Sequence, residues 1–568
     1  MASTRDFLDT VKTYESFLGY GSFGFVLKSK HRDGTYSCVK FIYPTDNDKL
    51  KLQNERESRL ITQLCHTNIV AVRNSVCNKY LSRDQLKRIF SPCPKIIEAG
   101  WQDTPEKIKE LGWTCIQMEL CGENLASWLR HPETKMDSIL IQLKQIEIIK
   151  DLISGLKFLH NNKIIHRDLK PANIMFTSDK YRLPVQIGDF GQSRTARGPN
   201  DPTLTSSAIG TPAYTSPEVR TGKYSYQSDI FSLGLIIWEI VALIKPEIKG
   251  NLFDRLVNDG ETDLVKEDHP LIGSLAKELV IKATKKNPEQ RYQTLNGVDK
   301  IFDKLISVKT REGVLLTCRN GEDLRLCLAY AGPNSTIILE EGIYQGEFRL
   351  RQDSITILGK GVDKTRILPS ICFNISGKDC LISNFSILLP TTLADRVTIG
   401  INISGDRCKL SKINVVNAVS GIRIDGSDIK VDDVKFTNTN NLLTIYQHYS
   451  DDIRFTFLPK DEVDTGGIYF EGGNNHTLED FIYTRSSVEL EWDLEIHSTN
   501  TIVKNCTCYN VVVTGEGTVL NNVEGKNSII IVGNPENIQL VNCNSKNLKA
   551  IGKVTMLGCS FDGVNKKA

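Results

Sequence analysis

The most informative stretch of this 568-residue chain reads Ile164-Ile165-His166-Arg167-Asp168-Leu169-Lys170-Pro171-Ala172-Asn173 and closes on Asp189-Phe190-Gly191. It brings a carboxylate that can act as a base, Asp168, and a cation, Lys170, into one short segment. Asn173 and the aspartate of the second motif add the oxygen ligands that Mg²⁺ prefers. A three-residue motif occurs often by chance, but two motifs in register do not. The pattern predicts a catalytic loop followed by a metal-binding loop.

Matching motifs stand on either side of this stretch. Upstream, a glycine-rich run, Leu18-Gly19-Tyr20-Gly21-Ser22-Phe23-Gly24-Phe25-Val26, precedes an alternating strand, Tyr36-Ser37-Cys38-Val39-Lys40. Glycines let a hairpin lie close over phosphate groups and offer backbone N–H donors. The apolar run Ile146–Asn161 predicts a buried helix that leads into the catalytic loop. Downstream come Gly210-Thr211-Pro212-Ala213-Tyr214 and Ser216-Pro217-Glu218.

Over residues 14–306 these motifs resemble a eukaryotic-type protein kinase, which implies a bilobal α+β domain. The resemblance implies that Asp168 accepts the proton of the substrate hydroxyl and that Lys170 contacts the transferred phosphate. Asn173 and Asp189 would hold Mg²⁺. Lys170 is also typical of kinases that act on serine and threonine, so a protein serine or threonine is the expected acceptor.

The same resemblance implies an ATP site between the glycine-rich hairpin and a hinge. Lys40 would contact the α- and β-phosphates, and Val26 would cover the adenine. Cys38 stands at the ceiling of the pocket, where alanine is usual. Met118 would be the gatekeeper, and the backbone of Glu119-Leu120-Cys121 would pair with the adenine edge. The residues expected around ATP are Gly19, Tyr20, Gly21, Ser22, Phe23, Gly24, Val26, Cys38, Lys40, Glu57, Met118, Glu119 and Cys121.

A glutamate on a helix after the lysine strand is expected to hold Lys40. Residues 54–64 have a helix-forming composition with an apolar stripe, and they run into His66-Thr67-Asn68-Ile69-Val70. The register counted back from His66 favours Glu57 as the partner, with Glu55 as the alternative.

The activation segment runs from Asp189 to Ser216-Pro217-Glu218 in this resemblance. A phosphate adds about −1.5 to −2 charge, and Arg167 and Arg194 are positioned to receive it through charge-assisted bonds. Thr211 matches the residue that bonds the catalytic aspartate and lysine in serine/threonine kinases. The candidate phosphorylation sites are Thr203, Thr205, Ser206 and Ser207.

Two further residues are architectural in this resemblance. Asp229, in Ser228-Asp229-Ile230-Phe231-Ser232-Leu233-Gly234, is expected to hold the backbone of the catalytic loop. Arg291, in Asn287-Pro288-Glu289-Gln290-Arg291, is expected to form a buried ion pair with Glu218.

A narrower resemblance is to the kinases of the α-subunit of translation initiation factor 2, including the double-stranded-RNA-activated one. It rests on Lys28–Tyr36, on the hinge with Glu123-Asn124-Leu125 and Trp128-Leu129 after it, on an insertion, and on Phe253–Gly260. It implies that α-subunit as a substrate. Pro212-Ala213 and Val219 depart from the group's pattern, and the sequence shows no double-stranded-RNA-binding domain.

After Leu305 the sequence changes to one short amphipathic helix, Gly321–Gly332, and then to short alternating strands. Segments of one shape recur, 28 residues apart from Phe385 to Ile413 and about 20 residues apart afterwards. Periods near twenty predict a solenoid. The segments are Ile382-Ser383-Asn384-Phe385, Leu410-Ser411-Lys412-Ile413, Val431-Asp432-Asp433-Val434, Leu478-Glu479-Asp480-Phe481, Val503-Lys504-Asn505-Cys506, Leu520-Asn521-Asn522-Val523 and Leu540-Val541-Asn542-Cys543.

This pattern resembles right-handed parallel β-helices such as the pectin-lyase fold; a propeller or a sandwich would show longer, more even hairpin units. Many β-helices bind or cleave polysaccharides. Alternation over Val488–Ile496 also puts four acids on one outward face. Solvated rung edges and a solvated face explain the same acidic residues. The candidates for polysaccharide chemistry are Asp432, Asp433, Glu479 and Asp480.

Composition bounds the remaining choices. A net charge of +2, with 40% hydrophobic and 24% charged residues, is typical of soluble domains and gives no sign of nucleic-acid or membrane binding. The sequence shows no signal peptide and no membrane-spanning run. Fifteen cysteines then indicate reduced thiols and a cytoplasmic protein.

The expected organisation has five parts: a polar lead over 1–13, a kinase domain over 14–306 with a surface insertion at about 73–110, a linker over 307–320, a β-helix over 321–563 and a tail over 564–568. The leading hypothesis is an ATP- and Mg²⁺-dependent serine/threonine kinase whose β-helix is a scaffold for a partner or ligand. A polysaccharide-acting β-helix with a regulatory kinase domain is the alternative. A pseudokinase scaffold is disfavoured by the complete catalytic set. Dimerisation stays open.

Overall fold

A computed structural model of the chain divides into two compact units, Met1–Val308 and Lys309–Ala568. The first unit is mixed α/β, and the second is a parallel β-solenoid. Among the residues that the structure describes, no helix is long and apolar enough to cross a membrane. Those residues are 6–21, 24–45, 47, 51, 55, 58, 61–92, 112–135, 138–189, 194–195, 203–204, 212–389, 399–418, 420–437, 441–445, 454–456, 462–463, 467–470, 475–479, 482–483, 494–532, 537–551 and 554–567.

The first unit begins with five antiparallel strands, which are β1 Val11–Gly21, β2 Gly24–His31, β3 Tyr36–Ile42, β4 Val72–Lys79 and β5 Trp113–Met118. Their order in the sheet is β1-β2-β3-β5-β4. One face of the sheet completely buries Phe25, Phe41 and Trp113. The rings of Phe25 and Phe41 stack with centroids 5.3 Å apart. Burying one such side chain stabilises the fold by about 1.5–3 kcal/mol.

The segment expected to be a surface insertion is partly inside this core. Residues 73–79 belong to β4, and the helix α1, Arg83–Phe90, buries Leu86 and Ile89 against Phe25 and Trp113. A capping box between Ser82 and Gln85 starts the helix. The segment is rich in basic residues, but its apolar residues recur at helical spacing and form one face of the helix. The described part of the segment therefore packs onto the core through one face, and residues 93–111 lie outside the described residues.

The expected polar lead is also partly buried. A short 3₁₀ helix, Phe7–Thr10, is capped by Asp6 and buries Phe7 and Leu8 in the same core. Two large apolar residues in a short polar run were too weak a pattern to reveal this.

The rest of the first unit is mainly helical, and two of its helices are largely buried. The long helix α3 begins at Ile139, seven residues earlier than the apolar run suggested, and delivers the chain to the catalytic loop. Helix α4 is buried from Tyr226 to Ile240. A Cβ on Gly234 would lie 2.8 Å from the Cβ of Ala283, so glycine lets two helices approach closely. The helices are α2 Leu125–Arg130, α3 Ile139–Asn161, α4 Tyr226–Ala242, α5 Pro246–Asp254, α6 Gly273–Ala283 and α7 Asp299–Ser307; the short strands are β6 Ile164–Ile165, β7 Ile174–Ser178, β8 Arg182–Ile187, β9 Arg194–Thr195, β10 Thr203–Leu204 and β11 Lys223–Tyr224.

The second unit is a single sheet of parallel strands wound into a solenoid, in which each strand pairs with the strand one turn later. One ladder contains Leu315–Cys318, Thr336–Leu339, Thr356–Leu358, Leu381–Leu388, Lys409–Val416, Lys430–Thr437, Arg454–Thr456, Thr477–Glu479, Ile502–Lys504, Val519–Asn521, Ile538–Val541 and Val554–Leu557. The other contains Gly342–Leu350, Thr365–Ile375, Ile399–Ile403, Ser420–Ile424, Asn441–Ile445, Gly467–Phe470, Leu494–Ile496, Thr507–Val513, Glu524–Ile531, Asn544–Ile551 and Ser560–Lys567, with Glu462–Val463 and Ile482–Tyr483 leading into Thr507–Val513.

The repeat read from the sequence is the repeat of the solenoid. Ile382 pairs with Leu410, and Leu410 pairs with Val431, all fully buried. The third residue of each described segment adopts a left-handed backbone, with φ between 52° and 70° at Asn384, Lys412, Asp433, Asn505, Asn522 and Asn542. Asparagine and aspartate tolerate that conformation better than most residues, which explains their abundance at the corner. One turn was missed, because Phe455 stands between Val431 and Leu478 in the ladder.

The predicted helix caps the first turns of the solenoid. Helix α8, Gly321–Tyr330, is capped by Asn320, whose side chain accepts hydrogen bonds from the backbone of Glu322 and Asp323. A Cβ on Gly321 would lie 2.2 Å from the carbonyl oxygen of Gln345, so only glycine fits there.

The boundaries of the solenoid are wider than expected. The expected linker, 307–320, contains its first strand, Leu315–Cys318, and the expected tail, 564–568, continues its last strand to Lys567. The first strand is only four residues long, and the last has few apolar residues, so neither was assigned from the sequence.

Candidate active site

The catalytic loop holds Asp168 in one orientation. The Nζ atom of Lys170 lies 2.7 Å from Oδ2 of Asp168. The Nδ2 group of Asn173 donates to the backbone oxygen of Asp168 at 2.8 Å and to its Oδ2 at 3.1 Å. Asp168 is only 5% exposed. The structure therefore brings these three predicted residues together.

Asp229 fixes the backbone that carries this carboxylate. Its two oxygens accept from the N–H groups of His166 and Arg167 at 2.8 and 2.9 Å. His160 contacts the same carboxylate at 2.9 Å and was missed at the sequence level. Burial alone would raise the pKa of Asp229, but the bonds from His160 and His166 lower it below its usual range. Arg167 has a φ of 71°, a conformation that this network maintains.

The metal loop docks onto the catalytic loop through its backbone. Gly188 donates to the carbonyl oxygen of Asn173 at 2.8 Å, and Nε2 of His166 lies 2.8 Å from the carbonyl oxygen of Gly188. Asp189 follows with a φ of 56° and contacts Nζ of Lys40 at 2.5 Å. The predicted lysine and the predicted metal ligand are thus side by side, although they are 149 residues apart in sequence.

The donor set fits Mg²⁺. Both described contacts of the Asn173 amide use Nδ2, so its oxygen is the atom left to act as a ligand. Asp189 adds a carboxylate that is about half exposed. Amide and carboxylate oxygens, completed by phosphate oxygens and water, are the ligands that Mg²⁺ takes.

Four predicted ATP-site residues share one face of the sheet. Val26 pairs with Lys40 across β2 and β3, and Cys38 pairs with Met118 across β3 and β5. Paired residues and residues two apart project to the same face. Burial raises the pKa of the Cys38 thiol to about 11, so this thiol is uncharged at neutral pH.

The side chain of Glu119 serves the hinge rather than the cleft. Its Oε1 accepts from the N–H of Ala71 at 2.7 Å and from Nε2 of Gln186 at 2.8 Å. Cys121 donates from Sγ to Oε1 of Gln186 at 3.5 Å. Burial, and then the charge of Glu119, raise the pKa of Cys121 to about 12. Gln186 was missed at the sequence level, although a lone amide in an apolar strand is a usable signal.

The glycine-rich hairpin is described in part. Gly19 and Gly24 are paired strand residues, and a Cβ on Gly24 would lie 2.0 Å from the carbonyl oxygen of Phe41. Gly24 is therefore needed for strand packing, a reason separate from phosphate binding. Tyr20 and Gly21 have described backbone only, and Ser22 and Phe23 lie outside the described residues.

Other predicted residues are described incompletely. Glu55, the alternative to Glu57, accepts a hydrogen bond from the Asn78 amide, and Glu57 itself lies outside the described residues. The backbone of Arg194 pairs with Ile165, beside the catalytic loop. Thr203 pairs with Tyr224 in the same way. The remaining activation-segment residues outside the described set are Thr205, Ser206, Ser207 and Thr211.

The predicted buried ion pair is present. Arg291 donates to both oxygens of Glu218, at 2.7 and 2.9 Å. Burial alone would raise the pKa of Glu218, but the bonds and charge of Arg291, with a smaller contribution from Ser216, lower it. This pair ties the end of the activation segment to residues 287–291.

Comparison with known proteins agrees with this geometry. A family model described as a protein kinase domain matches residues 13–302, about half of the chain. The interferon-induced, double-stranded RNA-activated protein kinase of Rattus norvegicus is 31% identical over 285 residues, 49% of this chain and 49% of the relative. The same-named protein of Mus musculus is 29% identical over 284 residues, 49% of this chain and 48% of the relative.

A bacterial relative matches a shorter region. The serine/threonine-protein kinase PknB of Mycobacterium leprae is 38% identical over 152 residues, 26% of this chain and 24% of the relative. The chain spans about half the length of the two rodent relatives.

Proposed function

We propose that this chain, which belongs to the protein kinase family, transfers the γ-phosphate of ATP to serine and threonine hydroxyls of a protein substrate. The observation that carries the proposal is the catalytic loop: Asp168 is held by Lys170 and Asn173, with Asp189 docked beside them through Gly188. A scaffold without catalysis would have no need for this arrangement, in which a base, a cation and two oxygen ligands converge.

The proposed reaction breaks the bond between the γ-phosphorus and the bridging oxygen and forms a bond from phosphorus to the substrate oxygen. Asp168 accepts the hydroxyl proton. Lys170, 2.7 Å from that carboxylate, contacts the transferred phosphoryl group. Lys40 would contact the α- and β-phosphates, and Asn173 and Asp189 would hold the metal. When bound, Mg²⁺ supplies positive charge opposite the phosphate oxygens.

Lys40 pairs with Asp189 in this structure, and the proposal accounts for the contact. With nucleotide bound, the Lys40 cation would face phosphate oxygens and the Asp189 carboxylate would face Mg²⁺. Without nucleotide, the two opposite charges are close enough to neutralise each other across the cleft.

A narrower proposal concerns the substrate. The resemblance over Lys28–Tyr36, the hinge and Phe253–Gly260 supports the α-subunit of translation initiation factor 2 as an acceptor. Similarity to two double-stranded RNA-activated kinases supports the same grouping for the first unit alone.

We propose that the solenoid, a right-handed β-helix of the pectin-lyase type, is a scaffold and not a polysaccharide-cleaving unit. Two of its candidate acids have structural explanations. Asp432 pairs with Lys409 at 3.4 Å, and Asp433 occupies the left-handed corner of its turn. The side chain of Glu479 and the whole of Asp480 lie outside the described residues. Of the alternating acids, Glu495 is half-buried and contacts His497.

We place the protein in the cytoplasm. Fourteen described cysteines are free thiols, most of them buried, which supports a reducing compartment.

A phosphate-transfer assay tests the proposed function. The purified full chain is incubated with labelled ATP, with Mg²⁺ or with a chelator, in the presence of initiation factor 2 or of its α-subunit phosphosite mutant. We expect label on serine or threonine only with Mg²⁺. Absence of label from every protein, including the chain itself, would contradict the kinase proposal. Equal labelling of the factor and its phosphosite mutant would contradict only the narrower one.

A further inference from the structure

A cavity of about 270 Å³ opens beside the catalytic loop of the first unit. Its walls come from four places in the fold: helix α2, the catalytic loop at Lys170, the last part of the activation segment at Tyr214, and the facing parts of helices α4 and α5. This volume accommodates one side chain of a bound peptide.

The cavity carries an excess of positive charge. Arg130, Lys170 and Lys249 line it, against one carboxylate, Glu239. That carboxylate is buried and already engaged. Lys249 contacts it at 3.0 Å, and the hydroxyl of Tyr214 donates to it. Lys170 is likewise paired, because its Nζ atom lies 2.7 Å from Oδ2 of Asp168. The remaining positive charge therefore comes chiefly from Arg130.

Arg130 is the cation best placed to meet a ligand. It is exposed, and the described bond of its guanidinium runs from Nε to the carbonyl oxygen of Ala126 at 3.0 Å. That bond uses one of the five N–H groups that a guanidinium offers. Lys249, in contrast, is held by Glu239 and also donates to Tyr214 at 2.8 Å.

The cavity lies next to the proposed base. Lys170 lines the cavity, and its Nζ atom reaches Asp168. Two residues of an extended peptide cover about 6–7 Å, and side chains two residues apart project to the same face. A peptide whose hydroxyl reaches Asp168 therefore directs the side chain two residues away toward this cavity.

We propose that this cavity selects substrates that carry an anionic side chain two residues from the acceptor hydroxyl, with Arg130 as the contact that determines the preference. The inference rests on the proposed kinase function and adds a substrate class to it. A glutamate and a phosphorylated serine offer the same chemistry, an anion that a guanidinium binds in bidentate fashion.

Peptides with one acceptor serine and neutral flanks test this inference with the full chain. Positions −2 and +2 carry glutamate, phosphoserine, glutamine or lysine. We expect an anion at one of these positions to raise the rate about three- to tenfold over glutamine. Arg130→Glu should reverse the preference toward lysine, and Arg130→Gln should remove it. Lys304→Glu reverses an exposed charge on α7, away from the cavity, and should leave the wild-type preference unchanged.

The outcomes separate the inference from the function beneath it. A preference for either anion supports the inference, and the ranking of glutamate and phosphoserine identifies the source of the charge. Equal rates for all peptides, or a wild-type preference in both Arg130 variants, would overturn the inference while leaving the kinase function in place. If no peptide is phosphorylated and the chain does not label itself, the proposed function fails first.

Discussion

The two units of this protein are stabilised on different length scales. In the first unit, the contacts that define the site join distant positions: Lys40 meets Asp189, and Asp229 holds His166. In the solenoid, a residue such as Leu410 pairs with residues one turn before and one turn after it, 28 and 21 positions away. The first unit therefore depends on particular residues, whereas the second depends on a repeated pattern that tolerates variation in each copy.

The largest expected contrast concerns equivalent charge changes in the two units. Asp189→Asn removes the proposed metal ligand and the partner of Lys40, so we expect phosphate transfer to fall by at least about a hundredfold. Asp432→Asn removes a half-exposed solenoid carboxylate that pairs with Lys409, and it should leave the rate unchanged. Initial rates with labelled ATP check both variants, and comparable losses would break the contrast.

Breaking an ion pair should cost more stability in the first unit than in the solenoid. Arg291→Leu leaves Glu218 in a largely buried site without its cation, and we expect the unfolding free energy of the first unit to fall by about 3–5 kcal/mol. Arg407→Leu in the solenoid breaks an equally well-formed pair with Asp379, but both side chains are exposed, so little change is expected. Denaturant melts of both variants measure the difference. Similar losses would show that burial does not decide the value of these pairs.

A cavity in the solenoid should have a local effect. Leu410→Ala removes a fully buried side chain, and we expect it to destabilise its turn by about 2–5 kcal/mol. Hydrogen exchange should increase at the paired positions Ile382 and Val431 more than at Leu540, several turns away. Leu315→Ala, at a position that is 62% exposed, is the matched control. Uniform loss of protection along the solenoid would contradict the nearest-neighbour account.

The smallest expected effect is a gain in the stability of the solenoid. Lys412 is exposed and has a φ of 53°, so Lys412→Gly should relieve a strained corner and stabilise the solenoid by about 0.5–1 kcal/mol. Lys435→Gly, at an exposed position inside a strand, should instead destabilise it. Thermal melts compare the two variants, and a loss of stability in Lys412→Gly would show that the side chain, not the backbone, matters there.

The same contrast explains what the sequence could predict. The candidate catalytic residues could be proposed from the sequence because the chemistry requires fixed residue types at fixed spacing around Asp168. The solenoid was found because its corner residues repeat. The turn containing Phe455 was missed, because Arg454–Thr456 is followed by no residue of the usual corner pattern. Its neighbours in the ladder reveal it only once the strands are paired.

Contacts between distant residues were harder to predict. The burial of Leu86 and Ile89 depends on a sheet that forms elsewhere in the sequence, so composition alone suggested a surface segment. His160 and Gln186 acquire their roles only through the partners that the fold brings to them, Asp229 and Glu119. Such residues have no required spacing to any motif, which is why sequence reasoning passed over them.

The central claim is that Asp168 is the base of a working phosphotransferase. The most direct measurement is transfer of label from ATP to protein serine and threonine by the full chain and by Asp168→Asn, in parallel with Asp432→Asn. A base contributes about 10²–10⁴ to rate, so Asp168→Asn should lose at least a hundredfold while Asp432→Asn matches the wild type. Equal transfer by Asp168→Asn and the wild type would contradict the account.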